Sequence, residues 1–112
     1  MPEGMTKQMI ALNRAFERLE LAKANQWHIP DAHPDLAPAS DAGLIVEVLR
    51  AIHLSDELNE YPYDFETSIV NALHHATSLE EALLQQLPTN ELNTYLKRVE
   101  QSCVHCHNAF RH

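Results

Sequence analysis

Near the C-terminal end, Cys103, Cys106 and His107 stand as C-x-x-C-H. Two thiols at this spacing can add across the vinyl groups of a haem as thioethers, and an imidazole beside the second thiol can ligate the iron. The spacing has a mechanical basis on a helix. Residues three apart share a face, so both sulfurs reach one edge of a flat macrocycle while His107, four beyond Cys103, points at the metal. The same residues admit other chemistries: a Cys103–Cys106 disulfide, a thioredoxin-like dithiol, or a zinc site recruiting His105, His107 or His112. A dithiol of that kind wants a strand-to-helix start, but no β pattern precedes the motif and the pair falls in the last turns of a helical stretch. A structural zinc site wants a further ligand cluster that the sequence does not clearly offer. One covalent haem c, attached through Cys103 and Cys106, is therefore the expected cofactor.

Length and charge agree with a small haem protein. At 112 residues the chain is expected to form a single domain over 1–112, with one modest core that gains from a buried cofactor acting as a staple. Sixteen acidic against eight basic residues give a net charge of −8 with neutral histidines, and two haem propionates would add to it. That balance argues against nucleic acid and anionic membrane surfaces, and fits a soluble protein whose redox partners carry a basic docking patch. There is no run of about 18 or more apolar residues and no charged-then-apolar leader, so neither membrane insertion nor an export signal is expected in the chain as given. Covalent haem attachment takes place outside the cytoplasmic membrane, which makes the expected location periplasmic, with the leader cleaved or replaced.

Helical periodicity must position these groups. Met5, Met9, Leu12, Phe16 and Leu19 recur at steps of four and three, predicting a first helix from Pro2 to about Gln26, with Lys7, Arg14, Glu17 and Arg18 on the opposite face. Pro30, Pro34 and Pro38 make residues 27–39 a crossover loop. A second helix is expected after a cap at Ser40 or Asp41, running past Ile45, Val48, Leu49 and Ile52 to about Leu58. The third runs from near Pro62 to about Leu87 on Phe65, Ile69, Ala72, Ala76, Leu79 and Leu83. Thr77, Ser78 and Glu81 could form a capping box that kinks or restarts it. The fourth follows a cap at Thr89 or Asn90, with Leu92, Leu96, Val99, Cys103, Cys106 and Phe110 in its stripe. The attachment cysteines thus belong to an apolar face. The expected fold is all-α, an antiparallel up-down-up-down four-helix bundle with haem in the bundle core.

From Ser102 to Arg111 the chain resembles the end of the class II cytochromes c, the cytochrome c prime family, in which C-x-x-C-H is followed by two variable residues, an aromatic and a basic one. In class I cytochromes c the motif lies near the N-terminus. The resemblance covers the four-helix layout, with its specific part in the last ten residues and, more weakly, in the first helix. In the family, that helix supplies the side chain facing the open side of the iron, and methionine there makes the iron six-coordinate and low-spin. Aligning Phe16-Glu17-Arg18-Leu19 with the family's aromatic-x-basic-apolar stretch puts Met9 at that position. Met9-Ile10-Ala11-Leu12-Asn13 also resembles the start of the b-type four-helix cytochromes, whose first-helix methionine ligates iron. A core-filling role is the ordinary alternative for Met9, and Met5, one turn earlier, is the second candidate.

Arg111 occupies the family's basic position and could pair with a propionate or with the helix C-terminus; Arg14 and Arg18 are further propionate candidates. His105 should face away from the ring. His74 and His75 are weaker distal candidates, and His28, His33, His53 and His112 form no usable pattern. Trp27, Tyr61, Tyr63 and Tyr95 read as helix-end and loop packing. The expected function is one-electron transfer, without enzymatic turnover, by an iron held between His107 and Met9. Two alternatives differ in class: a five-coordinate relative binding nitric oxide or carbon monoxide, and a small helical metal or thiol module without haem. Relatives often pair through helices 1 and 2, so a homodimer is a further expectation.

Overall fold

The computed structural model describes residues 3–28 and 37–110, and the side chains of 4–28 and 37–108. Four helices account for most of them: α1 (Glu3–Ala24), α2 (Pro38–Leu54), α3 (Tyr63–Leu84) and α4 (Thr89–Phe110). A short 3-10 helix, η1 (Asp56–Glu60), lies between α2 and α3, and no strand occurs among the described residues. α1 packs on α2, α2 on α3 and α3 on α4, whereas α1 and α4 do not close on each other to a comparable extent. No described helix is long and apolar enough to cross a membrane.

Apolar side chains at helical spacing build the core between these packed faces. Ile45, Leu49 and Ile52 of α2, Phe65, Ile69, Ala72, Ala76 and Leu79 of α3, and Leu92, Leu96 and Val99 of α4 are all buried. The first helix behaves differently. Met5, Ala15 and Leu19 are buried, but the intervening stripe residues Met9, Leu12 and Phe16 are only half-buried. A face that the periodicity marks for burial is thus left partly uncovered midway along α1.

Several boundaries differ from the sequence expectation. α2 begins at Pro38, with Ala37 at the N-cap, because proline's missing N–H and fixed φ suit the first helical turn. Ser40 and Asp41 therefore lie inside the helix. Pro38 and Ala39 belong to α2 rather than to the crossover loop, and residues 29–36, including Pro30 and Pro34, lie outside the described residues. α2 stops at Leu54, short of Leu58, where Ser55 turns extended and its Oγ accepts the Glu57 N–H at 3.1 Å to cap η1. α3 runs through Thr77 without a restart: the Thr77 hydroxyl donates to the Leu73 carbonyl at 2.8 Å, one turn back, instead of capping a new helix.

α1 and α3 end in the same way. After Ala24, Gln26 N–H donates to Lys23 and Trp27 N–H to Ala22; after Leu84, Gln86 N–H donates to Leu83 and Leu87 N–H to Ala82. This paired pattern is the Schellman motif, and it puts Gln26 (φ 56°) and Gln86 (φ 54°) in the left-handed region. Both helices accordingly stop two or three residues before the ends expected from their apolar spacing.

Candidate functional site

α4 carries Cys103, Cys106 and His107 in its last two turns, and α1 carries Met9 in its second turn. These four side chains come together. An open cleft of about 620 Å³ is lined by Met5, Met9 and Arg14 of α1, by Tyr61 and Phe65, and by Cys106 and His107 of α4. A smaller recess of about 160 Å³ is lined by Met9, Leu12 and Phe16 together with Cys103, Cys106 and His107, and α2 and α3 contribute Leu49, Ile69 and Ala72 to it. Met9, Cys106 and His107 are common to both. The half-buried stripe of α1 is therefore the wall of these spaces, facing the C-terminal half of α4.

The two thiols are free and poorly acidic. Burial raises the Cys103 thiol, with Glu100 adding to the effect; burial and the neighbouring Cys103 push Cys106 up to about 11. Both are neutral near pH 7. His107 is exposed, so its imidazole is accessible from the cleft. Cys106 is buried at 7% exposure, whereas Cys103 is half-buried.

These residues fit a haem. The larger cleft has the size of a cofactor pocket, commonly about 300–1,000 Å³, and the smaller one adds apolar wall behind it. Two thiols, an imidazole and a thioether are the donor set of covalent attachment with His/Met ligation. Tyr61 adds an independent sign of incompleteness: its hydroxyl is buried without a hydrogen-bond partner among the described residues, while its ring lines the cleft and stacks on Phe65 at 4.4 Å. Burial, with Glu57 and Glu60 nearby, raises its pKa.

The remaining candidates separate. Arg14 lines the larger cleft, whereas Arg18 is engaged elsewhere, donating from Nε to Asp41 Oδ1 at 2.6 Å. Met5 also lines the larger cleft but is buried at 1% exposure, and only Met9 reaches the recess that holds both cysteines. His105 is exposed and lines neither space. His74 and His75 also lie away from them, and His53 sits 3.6 Å from Glu66. Arg111, His33 and His112 are outside the described residues, and of Phe110 only the backbone is described. Among the described residues, no three His, Cys, Asp or Glu side chains converge as a metal-binding group.

Sequence reasoning did not find Tyr61 as a cleft residue. It precedes α3 in a link without periodicity, and only the fold brings it beside α1 and α4. Trp27 is buried as expected of a packing residue, but it also has a specific partner: Nε1 donates to Asn93 Oδ1 at 2.8 Å, tying the end of α1 to the first turns of α4. Tyr63, at 91% exposure, packs against little. Compared with models of protein families, with curated proteins and with solved structures, the chain matches none.

Proposed function

We propose that the chain is a c-type cytochrome of the class II kind, carrying one haem c for one-electron transfer and not acting as an enzyme. The carrying observation is that Met9, Cys106 and His107 line one cleft, with Cys103 in the adjoining recess. Cys103 and Cys106 would hold the haem through thioethers, and His107 and Met9 would ligate the iron on its two sides. When bound, the group supplies a ferric–ferrous couple. The chain's own part would be to offer His107 and Met9 to the iron, to exclude water with Leu12, Phe16, Leu49, Ile69 and Ala72, and to offer the Arg14 guanidinium to a propionate. Methionine ligation favours the ferrous state, so the potential should exceed that of a five-coordinate relative.

An up-down-up-down bundle with haem between α1 and α4 belongs to this reading. Three pairs support it: Arg18 late in α1 meets Asp41 early in α2, His53 at the end of α2 meets Glu66 at the start of α3, and Trp27 after α1 meets Asn93 early in α4. The acidic charge suits redox partners with a basic patch, and covalent attachment suits a periplasmic location. Pairing through α1 and α2 remains part of the family resemblance.

The test is an optical spectrum of the chain expressed with a haem-attachment system, in both oxidation states, for the parent and Met9→Ala. Covalent haem, a low-spin parent insensitive to carbon monoxide, and a high-spin, carbon monoxide-binding Met9→Ala are expected. A parent that binds carbon monoxide would transfer the reading to the ligand-binding alternative. No haem retained after denaturation would leave the metal or thiol module.

A further inference from the structure

A further groove of about 490 Å³ runs between α3 and α4, sharing Ser102 with the recess but no residue with the larger cleft. α3 contributes Ser68, Asn71 and His75, and α4 contributes Arg98 and Gln101, with Ser102 and His105 also at its wall. Every lining side chain is polar and none is a carboxylate, in a chain with twice as many acidic as basic residues. Arg98 is exposed, lies 5.4 Å from the Tyr95 ring centroid, and has no carboxylate partner among the described residues. Its guanidinium N–H groups have no acceptor among the described residues and can reach a ligand at the groove. Ser68 is the buried polar residue among the described ones, and it lines the groove. His75 also lies at its wall, its protonated form disfavoured by burial first and then by His74 and Arg98.

We infer that this groove binds a small oxyanion of the phosphate class, with the Arg98 guanidinium as the charged fork and the Ser68 hydroxyl and the Asn71 and Gln101 carboxamides as neutral donors. A tetrahedral anion presents several acceptor oxygens, and donors from two facing helices can meet different ones, as a single surface lysine cannot. The acidic remainder of the surface repels anions, which makes a carboxylate-free groove between α3 and α4 the place where one can settle. The inference stands apart from the haem reading, since Ser68, Asn71, His75, Arg98 and Gln101 line neither cleft.

The test is a nuclear magnetic resonance titration of the full chain with inorganic phosphate, against sodium chloride at matched ionic strength. Saturable shifts centred on Ser68, Asn71, His75, Arg98 and Gln101 are expected with phosphate and not with chloride. Arg98→Gln, at an exposed position, should weaken binding by about tenfold or more, as loss of a charge-assisted fork implies. Asn71→Asp, which places a carboxylate in the groove, should weaken it independently and serves if Arg98→Gln does not fold. Linear shifts, shifts equal in chloride, or undiminished affinity in a folded variant would overturn the inference.

Discussion

At the scale of single residues, two buried groups beside the cleft, the Cys106 thiol and the Tyr61 hydroxyl, carry testable consequences. The Cys106 thiol, pushed to about 11 by burial and by Cys103, holds its proton more tightly when folded than when unfolded. Its contribution to stability is therefore full below an ordinary thiol value near 9 and is lost as pH rises through about 11, because the unfolded chain releases the proton first. Urea midpoints of the haem-free chain should fall across that window more steeply than those of Cys106→Ala, and equal slopes would refute the assignment. A thioether has no proton to lose, so haem attachment should remove the difference. Tyr61 offers the second test. An unpartnered buried hydroxyl costs about 1–3 kcal/mol, so Tyr61→Phe, which keeps the stack on Phe65, should stabilise the haem-free chain by about 1 kcal/mol in urea unfolding. A loss of stability would reveal a partner for the hydroxyl. Cys103, Cys106 and His107 could be singled out from their spacing, and the fold brings them to adjoining spaces with Met9; Tyr61 could not, because an orphaned hydroxyl exists only once three distant segments have packed.

At the scale of elements, apolar periodicity located all four helices but overran the ends of α1, α2 and α3, while α4 reaches Phe110 as its stripe does. Spacing measures which face is buried, not where the backbone stops, and the stops of α1 and α3 are set by Gln26 and Gln86 in left-handed conformation. Glycine is the usual signal for that position, and glutamine gives none. The start of α2 erred for a related reason: Ser40 and Asp41 have cap chemistry, but Pro38 satisfied the first turn earlier. A left-handed residue with a Cβ costs roughly 1–2 kcal/mol, and glycine recovers part of this while adding freedom to the unfolded chain. Gln86→Gly should therefore raise the thermal midpoint by an amount equivalent to about 0.5–1 kcal/mol. Gln86→Ala, which retains the Cβ, should not; similar midpoints for the two variants would show that the left-handed turn is not the source of the gain.

At the scale of the whole molecule, the notable asymmetry is that α2 and α3 pack on both sides while α1 and α4 leave a cleft between them. Met9, Leu12 and Phe16 of the α1 stripe line that cleft or its recess and are only half-buried, so the middle of α1 is less covered than the apolar stripes of α2 and α3, and α1 is tied to α4 at its far end by Trp27 and Asn93. Regions with few buried contacts open at lower free energy than the core. In the haem-free chain, amide exchange should thus be fastest in the helical amides between about Met9 and Asn13 and in the last turns of α4, and slowest in the middle of α2 and α3. A cofactor bound across the cleft would supply the missing apolar surface and stabilise only the state in which α1 and α4 face each other. Loading should therefore slow exchange in those two segments far more than in α2 and α3. Uniform protection along the chain would indicate general stabilisation, and protection absent from α1 would remove that helix, and Met9 with it, from the site.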